Sequence, residues 1–177
     1  MKIYTALKED YPKVRAFYRS VIEENQDSEF DIGWKKDIYP TPDFLKTSIA
    51  NRELFIGVKD NEIVAAMVLN HQCNEGYKEF DWPVKAGDEE VTVVHALGVH
   101  PQSKGKGIAK QMICKAIEIA KKDNQKVIRL DVLEGNIPAE RLYAGMGFKY
   151  INTLKMFYED TGWTNYKLYE YVLTEES

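Results

Sequence analysis

The sequence predicts an α/β fold in which a mixed, mainly antiparallel central sheet carries helices on both faces. Three observations predict it. The apolar runs ELFIGVK (53–59) and EIVAAMVLN (62–70) flank the turn pair Asp60-Asn61, the signature of an antiparallel hairpin. The run VTVVHALGV (91–99) is β-branched and almost wholly apolar, which marks a central strand buried on both faces. After Gly107, residues Ile108, Met112, Ala116 and Ala120 recur every fourth position with Ile113 and Ile117 beside them, a helix with one core-facing stripe. The chain has 177 residues, 44% of them hydrophobic and 29% charged, enough to bury the core of one globular domain spanning 1–177.

The remaining elements follow in order. KIYTAL (2–7) reads as a short strand. Val14, Phe17, Tyr18, Val21 and Ile22 fall at helical spacing, with Asp10 as N-cap and Pro12 in the first turn. The polar stretch 24–40 carries Phe30, Trp34 and Tyr39 and is predicted to wrap over another part of the molecule. In TPDFLKTSIAN (41–51), Thr41 is the N-cap and Pro42 the first residue of a second helix. Residues 73–90 form an irregular excursion. KVIRLDVL (126–133) is a further buried strand, and NIPAERLYAGM (136–146) a short helix with Asn136 as N-cap. Two long strands, 148–160 and 164–173, close the chain around TGW (161–163).

Composition excludes several roles. A net charge of −4 argues against a nucleic-acid surface, which requires a basic excess. Cys73 and Cys114 are too few and too far apart for a metal site or a disulfide framework, so no metal is expected. Charges at Lys2, Lys8, Glu9, Asp10 and Lys13 interrupt the N-terminus, and no stretch approaches the length of a membrane span. A cytoplasmic protein is the expectation.

HPQSKGKGIAKQM (100–112) places Gly105 and Gly107 just before a helix, where unpaired backbone N–H groups and the helix dipole favour an anion. A Walker A loop is excluded, because Gly107 stands where that pattern requires Ser or Thr. A dinucleotide fingerprint fails at Lys110, where glycine or alanine is needed. A pyrophosphate turn between strand and helix, and a plain helix cap, both stay open on this stretch alone.

VVHALGVHPQSKGKGIAKQM (93–112) resembles the pattern V-x-P-x-x-R-G-x-G-I-G/A of the GNAT superfamily of N-acetyltransferases. GNIPAERLYAGMGF (135–148) resembles that family's second motif, N-x-x-A-x-x-x-Y-x-x-x-G-F. The two occur in the family's order, separated by one helix and one strand, and the resemblance covers about residues 91 to 150. It implies the GNAT-like acyl-CoA N-acyltransferase fold, acetyl-CoA as donor, a small primary amine as acceptor, direct attack in a ternary complex, and a monomer or homodimer. Carried over by position, Leu97, Gly98 and Val99 would offer main-chain groups to the pantetheine and acetyl carbonyl. Lys104, Gly105, Lys106, Gly107, Ile108, Ala109 and Lys110 would surround the pyrophosphate. The family's Arg or Gln is Lys104 here, a point charge in place of a planar fork. Asn136, Ala139 and Tyr143, at i, i+3 and i+7, share one helix face and would meet the same ligand.

Acetylating an amine requires a base for the ammonium, a donor for the carbonyl oxygen and a proton for the departing thiolate. Tyr143 is the expected acid, and the Val99 N–H the expected carbonyl donor. His95 is the expected base, since alternation places it on the strand face of Leu97 two residues on; a buried structural histidine is the competing reading. Glu89, Glu90 and His71 are weaker substitutes. Neither cysteine is expected to carry the acyl group. Trp34 and Tyr39 are the expected acceptor-binding residues, with Trp82, Tyr158, Trp163, Tyr169 and Tyr171 as other aromatics that could line a pocket or fill a core. Asp31, Asp131 and Glu170 could pair with a cationic acceptor or serve structure. A non-catalytic acyl-CoA-binding or sensing module is the alternative function.

Overall fold

A computed structural model of the protein describes residues 1–173. Its elements are β1 (Lys2–Thr5), α1 (Tyr11–Asn25), α2 (Pro42–Ala50), β2 (Leu54–Lys59), β3 (Glu62–Asn70), β4 (Val91–Val99), α3 (Ile108–Lys122), β5 (Val127–Leu133), α4 (Ile137–Gly145), β6 (Lys149–Tyr158) and β7 (Gly162–Val172). The strands form one sheet in the order β1-β2-β3-β4-β5-β7-β6, and only the β4–β5 pair is parallel. Helices cover both faces, as predicted. Helices α1 and α2 pack against Leu54, Ile56, Ala66, Val68 and Ala96 on one side. On the other, α3 and α4 pack against Ala65, Met67, Val94, Ile128 and Leu130. The stripe Met112, Ile113, Ala116 and Ala120 is wholly buried, and a side chain such as Ile113 contributes about 1.5–3 kcal/mol by leaving water. No helix among the described residues is long and apolar enough to cross a membrane.

Local chemistry explains most boundaries. Asp60 and Asn61 both take positive φ, the two-residue turn that matches the twist of a hairpin. Thr41 Oγ1 accepts the Phe44 N–H at 3.0 Å and starts α2. Three expectations are corrected. Asp10 does not cap α1: residues 8–10 form a tight turn running into the helix, and the Asp10 carboxylate accepts the Leu7 N–H at 2.8 Å. Asn136 stands at the start of α4 but makes no capping bond, which leaves its amide uncommitted. The final turn comprises residues 159–161, not TGW, because Gly162 and Trp163 already pair in β7 with Tyr158 and Phe157.

Two features of β4 shape the site. Its ladder with β5 holds only at Val91–Val93 against Val127–Arg129, after which the strands diverge. A bulge at Ala96, with φ of 51°, shifts the register against β3, so that Val68 faces His95 whereas Ala65 faces Val99.

Candidate active site

The divergence of β4 and β5 opens a cavity of about 620 Å³ that runs through the sheet. Its volume lies within the usual range for small-molecule sites. Beyond Val93 the β4 backbone has no partner on the β5 side. The His100 N–H bonds the Val64 carbonyl across to β3, and antiparallel alternation then turns the main-chain groups of Leu97 and Val99 the other way, into the gap. Leu97, Gly98 and Val99 all line the cavity.

One end is built to meet an anion. Gly105 and Gly107 adopt φ of 78° and 74°, a left-handed conformation natural to glycine, and open space lies where a Cβ would stand on either. The first backbone bond into α3 is donated by Gln111 to the Gly107 carbonyl. Among the described residues, the N–H groups of residues 105–110 therefore make no backbone bond that would compete with a ligand. Lys104, Gly105, Gly107, Ile108, Ala109 and Lys110 line this end, while Lys106 lies off the wall. Asn136, Ala139 and Tyr143 line the same half from α4. Burial raises the Tyr143 phenol, and the nearby Asp131 raises it further, so the hydroxyl keeps its proton at neutral pH. Its ring packs against Phe148 and Tyr169, with centroids 5.5 and 6.2 Å away.

The opposite end is aromatic and acidic. Segment 26–41 crosses this mouth, fastened to α1 by Arg19 and Arg15 on Asp37, at 2.5 and 3.4 Å, and by Lys36 on Glu23. Its Trp34 ring packs so close to Gly98 that a Cβ there would meet the indole at 3.2 Å. Trp34 and Tyr39 line the cavity with Tyr158, Tyr166, Asp131 and Asp160. The Asp131 carboxylate, on β5, accepts hydroxyls from Tyr77 at 2.8 Å and Tyr158 at 2.5 Å through one oxygen. Burial raises the Asp131 carboxyl above the usual range and outweighs the lowering effect of the two phenols. Asp160, only 5% exposed, is raised by burial as well.

His95 lines the cavity, though from a different strand face than alternation assigns. The bulge at Ala96 breaks alternation, so His95 shares the face of Val68 and meets the Phe44 ring, while Leu97 stands on the opposite face. Its Nε2 lies 2.7 Å from Asn70 Oδ1 and 2.9 Å from the Gln72 carbonyl; both are acceptors, so Nε2 carries the proton. Burial lowers the imidazole to about 4, hence it is neutral at pH 7. Folding excludes the proton that the unfolded chain binds below pH 6.5, so stability falls as pH drops from 6.5 towards 4, by up to about 3 kcal/mol. His95→Gln is expected to lose that increment. Urea unfolding of both proteins at pH 7 and pH 4.5 checks it, and parallel pH dependence would contradict the assignment.

The other sequence candidates lie off the cavity wall. Glu170 pairs with Arg129 at 3.0 Å, and Arg129 also lies under the Trp82 ring. Asp31 accepts the Gly33 N–H, Glu90 pairs with Lys126, and His71 Nδ1 meets the Val91 carbonyl. Glu89 receives the Gln125 amide at its own carbonyl, away from the cavity wall. Tyr169 and Tyr171 pack on Tyr143 and Phe148, and Trp163 is 68% exposed. Sequence reasoning missed Asp160, Tyr166 and Tyr77. Alternation along β6 and β7 places Met156, Tyr158, Tyr166 and Leu168 on one side, a readable signal without a way to tell what that side faces. Among the described residues no cluster of His, Cys, Asp or Glu side chains suits a metal ion.

Comparison with known proteins agrees with this geometry. The family model described as acetyltransferase (GNAT) family matches residues 3–148. An uncharacterised N-acetyltransferase of Methanocaldococcus jannaschii is 35% identical over 69 residues, which span 39% of this chain and 30% of that protein's length. The GNAT family acetyltransferase of Streptococcus agalactiae superposes with a TM-score of 0.80 at 18% identity, covering 99% of this chain and 96% of the other. The Salmonella typhimurium protein yncA, solved with its cofactor acetyl-CoA, superposes with a TM-score of 0.71 at 16% identity over 100% and 96%. At such identities the superpositions show a shared fold. With a family match over most of the chain and a sheet split between β4 and β5 beside a glycine turn, the chain belongs to the acetyltransferase (GNAT) family.

Proposed function

We propose that the protein transfers the acetyl group of acetyl-CoA directly to a small primary amine, within a ternary complex in the cytoplasm. One observation carries the reading: a single cavity joins an anion-binding end to an aromatic, acidic end through the gap between β4 and β5. The chain's own residues fit the donor. The unengaged amides of residues 105–110 with Lys104 and Lys110 would hold the pyrophosphate, and the uncommitted Asn136 amide and the Leu97 main chain the pantetheine arm. When bound, acetyl-CoA supplies an activated thioester.

The Val99 N–H, aimed into the gap, would stabilise negative charge on the carbonyl oxygen. Tyr143 would hold the proton that the sulfur takes on leaving. Proximity supplies much of the rest, because both partners occupy one enclosed volume. His95 is a weak base at about 4, with its Nε2–H committed, so the acceptor's proton requires another group. Cys73 and Cys114 lie off the cavity wall, which favours direct transfer over an acyl-enzyme.

The test is a calorimetric titration with acetyl-CoA followed by an amine screen that reads CoA thiol release. Micromolar binding and thiol release dependent on amine are expected. Tight binding without transfer to any amine would favour a non-catalytic acyl-CoA-binding module.

A further inference from the structure

The acceptor end carries two carboxylates that no cation pairs directly, the nearest positive influence on Asp160 being the charge of Lys35. Neither Asp131 nor Asp160 forms an ion pair among the described residues. Both phenol bonds to Asp131 fall on Oδ2, so Oδ1 takes no hydrogen bond from a described residue. Asp160, at 5% exposure, lines the same wall; the backbone amides of Asp160 and Thr161 favour its charged form, and no described side chain donates to it. A desolvated carboxylate that lacks a direct ion pair carries an electrostatic cost, which a cationic ligand relieves. The surrounding walls suit such a ligand, since the faces of Trp34, Tyr39, Tyr158 and Tyr166 attract an ammonium group. The same cavity has Lys104 and Lys110 at its far end, so its two halves oppose each other in charge.

From this juxtaposition we propose that the acceptor is a compact cationic amine with no carboxylate beside its nitrogen, that Asp131 holds the reacting ammonium and takes its proton, and that Asp160 meets a second cationic centre. A diamine is then the preferred acceptor class. This inference rests on the acetyltransferase reading above. The proton balance is complete. An ammonium nitrogen loses two protons on becoming an amide: one passes to the Asp131 carboxylate and on to water, the other replaces the proton that Tyr143 gives to sulfur. The new C–N bond forms from the nitrogen lone pair as the C–S bond breaks. Desolvation of Asp131 makes it a stronger proton acceptor than a solvated carboxylate. Its two phenol bonds fix the carboxylate plane, so a carboxamide retains the shape and loses the basicity.

The experiment compares acetylation of an aliphatic diamine, a monoamine of similar length and an α-amino acid by the wild type, Asp131→Asn and Asp160→Asn, with acetyl-CoA affinity measured for each. The wild type is expected to prefer the diamine to the amino acid by about 100-fold or more in kcat/KM, since the amino acid's carboxylate would face like charge. Asp131→Asn is expected to lower kcat/KM for both amines by about 100-fold and leave acetyl-CoA affinity within about twofold. Asp160→Asn is expected to raise KM about tenfold for the diamine only, with kcat kept. An amino acid as best acceptor, or an Asp131→Asn enzyme within about threefold of the wild type, would overturn the inference and leave the acetyltransferase reading standing. A wild type that binds acetyl-CoA and acetylates no amine would overturn both. The wild-type preference needs no variant, so it decides the matter even where a substitution unfolds the protein.

Discussion

Replacing Tyr143 with Phe is expected to lower kcat by about 10²- to 10³-fold while acetyl-CoA affinity stays within about twofold. The asymmetry follows from where the ring and the hydroxyl sit. The ring is 7% exposed and packs edge-on against Phe148, and Phe retains that contact. The hydroxyl opens on the cavity and bonds no described side chain, so its removal strands no buried partner. What disappears is a proton. Burial raises the phenol above its ordinary range, so wild-type Tyr143 keeps its proton through neutral pH; the shift weakens it as an acid, and the negative charge developing on the departing sulfur has to draw the proton out. Steady-state kinetics beside calorimetry check the split, and equal losses in turnover and affinity would assign Tyr143 to binding instead.

Gly107→Glu is expected to weaken acetyl-CoA binding by about 100-fold or more, equivalent to about 3 kcal/mol. Two effects combine. At φ of 74° an L side chain costs roughly 1–2 kcal/mol of backbone strain, which loosens the turn that aims the amides. The larger effect is electrostatic: the space in front of Gly107 is open, so a carboxylate would stand where the unengaged N–H groups favour an anion. Gly107→Ala separates the two, because it adds strain without charge and is expected to cost less than about tenfold. Calorimetry on the three proteins measures it. Equal weakening by Ala and Glu would make strain, and not anion repulsion, the cause.

The sheet, its central strand and the helices of both faces were legible in the sequence, because each rests on a local pattern: alternation, a four-residue stripe, a turn pair or a capping threonine. The glycine-turn end of the cavity was legible for a related reason. Leu97 to Val99, the glycine turn and the Asn136–Tyr143 face are short contiguous motifs, and the fold joins them by one strand gap. Lys106 is the exception, since a backbone loop that faces a cavity turns some of its residues outward. The aromatic, acidic end was less legible. Asp131, Tyr77 and the pair Tyr158 and Asp160 come from three distant segments and meet only through the pairing of β5 and β6 with β7 and the packing of 73–90 over the sheet. His95 shows the limit most clearly. One extra residue in the β4 ladder reverses the face that alternation assigns, and nothing in VTVVHALGV marks Ala96 as the bulge. Asn136 does take the N-cap position, and the missing capping bond is a detail of side-chain geometry that the position alone does not reveal.

A single-turnover reaction tests most directly whether the gap between β4 and β5 is where the acetyl group passes to an amine. The wild type, loaded with one equivalent of acetyl-CoA, is mixed with a diamine and quenched over time, and CoA thiol, acetylated amine and the intact protein mass are quantified together. Direct transfer predicts thiol and acetylated amine appearing in equal amounts, at one rate, with no acetyl group on the protein at any time. Thiol release without acetylated amine, or a protein that gains an acetyl group before the amine does, would contradict it.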